Sequence, residues 1–171
     1  MKKRPLILLV SFCIVGFFGS TVMYSDAAEK RHPEKDHHHR HHEAHHGGVL
    51  NVIGECEIGH IEVRLEGDTL EAWFVGGGHD TDRAIPIKAA GIPLTVSVPG
   101  KGEMALVLKA NPMKLAGEKV GHCSHFIAKA DWLRDVKEFE ARGEVVFKGI
   151  RRELIIKYPE GYDPEHGQGT H

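Results

Sequence analysis

The residues able to do chemistry are concentrated near the N-terminus. Eight of the fourteen histidines fall between residues 32 and 46, in "HPEKDHHHRHHEAHH": His32, His37, His38, His39, His41, His42, His45 and His46. Neutral imidazole is a ligand for Zn²⁺, Ni²⁺ and Cu²⁺, and short His-rich tracts read as metal-binding on composition. In a helical tract, the pairs His37/His41, His38/His42, His41/His45 and His42/His46 would stand at i, i+4 and chelate together. An unstructured tract would wrap ions in any order. Either way several ions are held loosely and released as pH falls through the histidine range. The alternative is a solvated, pH-sensitive linker.

His42-Glu43-Ala44-His45-His46 also spells H-E-x-x-H. In a zinc protease that pattern sits on a helix, with the glutamate activating a metal-bound water and a third protein ligand completing the site. This tract has no apolar face to embed a helix, and Gly47-Gly48 follow at once. A match is expected by chance in so dense a histidine run, so catalysis is not expected from it.

A second set of ligand types lies in "CEIGH" and "GHCSH": Cys56, His60, His122, Cys123 and His125. Both cysteines stand where strands are expected to start. On neighbouring strands, thiols and histidine would suit a tetrahedral metal site. The same two cysteines suit a Cys56–Cys123 disulfide, which in the chain-entropy model closes a loop of about 65 residues and stabilises by up to ~4 kcal/mol. Free thiols are the third possibility. A blue-copper site is disfavoured, since no methionine follows Cys123 and His125 at short spacing. The loop "GGGHDTDR" offers His79, Asp80 and Asp82, but its composition is that of an ordinary connection with an Asx turn. Nucleophile elbows, Ser/His/Asp cues and nucleotide-binding glycine fingerprints are missing, and no enzyme is expected.

These residues must be positioned by a small domain. Residues 1–27 read as a signal peptide: Lys2, Lys3 and Arg4, an apolar run from Leu6 to about Met23, then small residues before cleavage near Ala27. An uncleaved anchor is the alternative, because the run is nearly long enough to span a bilayer. Cys13 leaves with the leader, and Phe12 before it does not suit a lipobox. The expected location is periplasmic or secreted, an oxidising space that favours pairing Cys56 with Cys123. Beyond residue 27 no second apolar run reaches membrane length, so stable membrane insertion after cleavage is not expected. The net charge of −2 gives no footprint for nucleic acid.

Residues 28–48 are charged, His-rich and poor in large apolar side chains, and disorder is expected there. From Val49 the pattern turns to strands. Ile61, Val63 and Leu65 alternate with Glu62, Arg64 and Glu66, and Leu70, Ala72 and Phe74 resume after Gly67-Asp68, a hairpin signature. Further hairpins are expected to turn at Pro99–Gly102 and at Lys148-Gly149, with shorter strands at 49–53, 84–88 and 125–130. "ADWLRDVKEF" is the one helical stretch, about two turns long. The expected fold is all-β: an antiparallel sandwich, or barrel-like sheet, of about eight strands over residues 49–158. Residues 159–171 read as a flexible tail.

The leader, the stretch ending "HHGG" and the module opening "VLNVIGECEIGHIEVRLEGDTLEAWFV" together resemble the small β-rich accessory domain of some periplasmic adaptor subunits of heavy-metal efflux pumps of the cobalt-zinc-cadmium type. The layout is also similar to short stand-alone exported bacterial His-rich proteins. The resemblance covers residues 44–157 in order of elements and implies metal binding outside the cytoplasm. The adaptors' long helical hairpin, lipoyl-like halves and barrel domain have no counterpart here, so a stand-alone relative of the accessory domain is implied. The expected function is binding or buffering of a transition metal, Zn²⁺ ahead of Ni²⁺ and Cu²⁺, with a metal-efflux or envelope protein as partner. The alternative is a non-enzymatic envelope module with a Cys56–Cys123 disulfide and a solvated His-rich linker.

Overall fold

The computed structural model describes residues 42–165. The leader, His32 through His41 of the tract, and residues 166–171 lie outside the described residues. Eight strands form one antiparallel sheet: β1 (Val49–Val52), β2 (Gly59–Glu66), β3 (Thr69–Gly76), β4 (Gly91–Val98), β5 (Gly102–Ala110), β6 (His125–Lys129), β7 (Phe139–Phe147) and β8 (Ile150–Tyr158). Their order is β1-β2-β3-β6-β5-β4-β7-β8. The sheet curls until its first and last strands meet, so the all-β expectation is met in its barrel-like form.

The expected hairpins form. Gly67 and Asp68 join β2 to β3, residues 99–101 join β4 to β5, and Lys148-Gly149 joins β7 to β8. Inward positions carry the apolar set: Ile61 and Val63 from β2, Leu70, Ala72 and Phe74 from β3, Phe126 from β6, and Leu154 and Ile156 from β8. Two elements differ from expectation. Residues 84–88 make isolated bridges, Ala84 to Val75 and Ile87 to Cys123, instead of a strand. The helical stretch contracts to one 3-10 segment, Asp131–Asp135, closed by Leu133 N–H to Ala130 and Val136 N–H to Leu133. Leu133 is buried in the core and β7 begins at Phe139. A second helical turn would take the residues that lead into that strand.

The barrel closes at a seam between β1 and β8. Asn51, fully buried, accepts the Lys157 N–H on its side-chain oxygen at 2.7 Å, standing in for a ladder partner. The chain then doubles back, and Val52 N–H donates to Tyr162 O at 2.7 Å. Gly161 passes so close to β1 that a Cβ there would lie 2.6 Å from Leu50 O, a contact only glycine permits. Through Asp163 the segment expected to be a flexible tail is therefore a strap laid over the seam.

Candidate metal site where the histidine tract meets the barrel

Strand residues alternate between the two faces of a sheet. With Ile61 and Val63 inward, His60, Glu62 and Arg64 take the outer face of β2, as does Trp73 on β3. The sequence pattern puts Glu62 in solvent, yet it is fully buried. Its cover is the end of the histidine tract. The Glu62 carboxylate accepts the backbone N–H groups of His45, His46 and Gly48 at 3.1, 2.7 and 2.8 Å, and lies 2.8 Å from His46 Nδ1. Ala44 packs on a small outer cluster of Leu50, Trp73 and Val75. The solvated segment drawn to residue 48 is thus held on the barrel from His42 onward.

His42, Cys56 and His60 converge there. One ligand atom from each lies within 4.8 Å of the others, and they are the one group of three or more potential metal ligands found among the described residues. His60 is presented by β2, 1% exposed, and Cys56 by the β1–β2 connection. The His42 and His60 rings lie 4.8 Å apart between centroids.

The backbone sets both imidazoles. His60 Nδ1 lies 3.1 Å from Gly76 O and His42 Nδ1 lies 2.7 Å from Gly78 O. A carbonyl only accepts, so each Nδ1 carries the hydrogen and the neutral ring keeps its lone pair on Nε2. Donation from the second ring nitrogen to a carbonyl is the usual support of a metal-ligating histidine. The glycine run "GGGH", expected to be an ordinary loop, makes this possible. A Cβ on Gly77 would sit 2.3 Å from the Glu57 carbonyl carbon, so this backbone could not otherwise press against the Cys56 turn. Gly78 N–H donates to Cys56 O at 3.0 Å and ties the two connections together.

The Cys56 thiol donates to Asp163 Oδ2 at 3.5 Å. Burial, reinforced by the Asp163 carboxylate, pushes this thiol up to about 12. Asp163 itself is 1% exposed, on the strap. Nothing in "YPEGYDPEHG" signals that role; only the seam brings it to Cys56.

The other sequence candidates separate. Cys56 and Cys123 are both free thiols, so the expected disulfide is not formed. Cys123 is buried beside the Ile87 bridge and donates to His125 O at 3.3 Å, while Cys56 faces the strap. His122 is exposed, in a tight turn with Lys119. His125 and His46 each stack on Trp73, with ring centroids 4.7 and 4.5 Å away. His45 is exposed, with Nε2 3.5 Å from Thr81 Oγ1. Residues 42–46 form no helix, so the His42/His46 pair does not chelate on one face and the H-E-x-x-H pattern lacks the helix it requires. In the glycine loop, Asp80 pairs with Arg83 at 2.9 Å and His79 is exposed.

No protein-family model, curated protein or solved structure matches this chain.

Proposed function

We propose that this is an exported transition-metal-binding protein, in which the histidine tract collects ions and the barrel holds one at its base. The observation that carries the reading is the convergence of His42, Cys56 and His60, with both imidazoles fixed by carbonyls so that their lone pairs lie on Nε2. One sulfur and two nitrogens suit Zn²⁺ best, with Ni²⁺ and Cu²⁺ as alternatives. Zn–S of about 2.3 Å and Zn–N of about 2.0–2.1 Å put tetrahedral corners roughly 3.3–3.6 Å apart. The ligand atoms, all within 4.8 Å of one another, would close inward to those distances as the ion enters. The resemblance to efflux-adaptor accessory domains supports the same reading, and makes a metal-efflux or envelope protein the natural partner.

Calorimetric zinc titration of the full chain tests this. Expected are one tight site, lost in Cys56→Ser and His60→Gln, and several weak sites, lost when His32, His37, His38, His39 and His41 become Asn. Absence of any zinc binding overturns the reading. It would leave the envelope interaction module, for which the exposed Leu115 and Val120 on the β5–β6 connection are the supporting observation.

A further inference from the structure

We propose that Asp163 is the fourth ligand, so that His42, Cys56, His60 and Asp163 form a closed tetrahedral site for a divalent ion. The inference rests on the metal-binding reading above and adds that no coordination position is left for water.

Three observations carry it. First, Cys56 Sγ and Asp163 Oδ2 lie 3.5 Å apart. Bond lengths of about 2.3 Å to sulfur and 2.0–2.2 Å to oxygen place those corners of a zinc tetrahedron roughly 3.5–3.7 Å apart, so this edge already has the right length. Asp163 stands outside the three residues whose ligand atoms lie within 4.8 Å of one another, and it must close on the histidines when the ion enters. Second, the carboxylate is oriented: its other oxygen, Oδ1, accepts the Glu165 N–H at 2.8 Å, which turns Oδ2 toward the thiol. The strap that carries it is fixed by Gly161 against Leu50 and by Tyr162 against Val52. Third, the charges balance. A divalent cation bound to one thiolate, one carboxylate and two neutral imidazoles gives a site of zero net charge, which burial tolerates. On loading, the Cys56 thiol gives its proton to buffer, the imidazoles remain neutral, and the carboxylate trades the thiol hydrogen bond for the ion.

A site with four protein ligands holds an ion; one with an open position ionises water and does chemistry. The inference therefore makes the barrel site a holding site. It also makes the ion a clasp joining the end of the histidine tract, the β1–β2 connection and the C-terminal strap.

The test uses Co²⁺ in place of Zn²⁺, in the full chain with His32, His37, His38, His39 and His41 changed to Asn. The expected spectrum is tetrahedral, with sulfur-to-cobalt charge transfer, and unchanging from pH 6 to 9. Asp163→Ala is expected to weaken zinc, measured by competition, more than ~100-fold, beyond the 10–100-fold typical of an outer-sphere partner. Its cobalt spectrum should become pH-dependent, because a water now occupies the fourth position and ionises at about pH 7. A parent spectrum that itself titrates overturns the inference, and this measurement does not depend on whether the variant folds. An Asp163→Ala protein with undiminished affinity or a pH-independent spectrum overturns it too, leaving the three-ligand reading intact. A parent chain that binds no stoichiometric Co²⁺ or Zn²⁺ overturns both.

Discussion

His46 and Glu62 are joined twice: the backbone N–H of His46 donates to one carboxylate oxygen at 2.7 Å, and its ring Nδ1 lies 2.8 Å from the other. The link fastens the tract to the outer face of β2 and thereby places His42 beside Cys56. Glu62→Ala removes the acceptor of three backbone N–H groups. A loss of roughly 2–4 kcal/mol is expected, from hydrogen bonds to a charged group and from donors left without partners. Urea unfolding measures it. Amide exchange at His45, His46 and Gly48 should accelerate in the same variant, and unchanged exchange would show that Glu62 does not hold the segment.

A pH dependence follows from His125. Burial holds its imidazole below the ordinary value of 6.5, opposed by Glu71, whose carboxylate lies 3.9 Å from Nε2. The unfolded chain therefore takes up a proton that the folded chain refuses. Stability contributed at neutral pH is lost as pH falls through 6.5 toward the folded value. His125→Phe keeps a ring against Trp73 and removes the proton. Between pH 7.5 and 5, wild type should lose more stability than this variant, and parallel unfolding midpoints would refute the assignment.

The cysteines give a chemical test. With Cys56 and Cys123 both free, denaturation without reductant followed by alkylation should label both, read by mass. In the native protein both should label slowly, because both are buried and the thiolate, which burial disfavours, is the reacting form. Reductant should leave stability unchanged. A disulfide across that loop would instead make reductant cost up to ~4 kcal/mol.

Asn51 tests the seam. Asn51→Ala leaves the part-buried Lys157 N–H without its 2.7 Å partner, which is expected to cost about 1–3 kcal/mol. Because the strap pairs with the next residue, Val52, zinc affinity at the barrel site should fall with it. Full affinity in a destabilised Asn51→Ala protein would mean the strap is fixed independently of the seam.

The hairpins were legible because alternation and turn residues act locally: Ile61 to Leu65, Gly67-Asp68 and Leu70 to Phe74 state their pairing within one stretch of chain. Cys56 and His60 were legible as ligand types, and His42 as one histidine among many. Which ligands meet was not legible. Cys123 and His125 carry the same chemistry as Cys56 and His60, but they belong to the far side of the β3–β6 pairing, and no local pattern states that. Glu62 misled for a related reason. Its alternation correctly marks the outer face, but an outer face is solvated only if nothing covers it, and the cover comes from residues whose composition reads as solvated. Asp163 was invisible because a turn-rich stretch looks the same whether it frays or straps a seam.

The seam has a bearing on how the protein behaves when crowded. A sheet that curls without closing by a full ladder leaves two edge strands, and exposed edges invite a second chain to add on and aggregate. Here the Asn51 amide and the Tyr162 carbonyl occupy hydrogen-bonding positions along the meeting edges. The chain blocks its own open border with a side chain and a doubled-back backbone, and a neighbouring copy finds fewer vacant positions to extend.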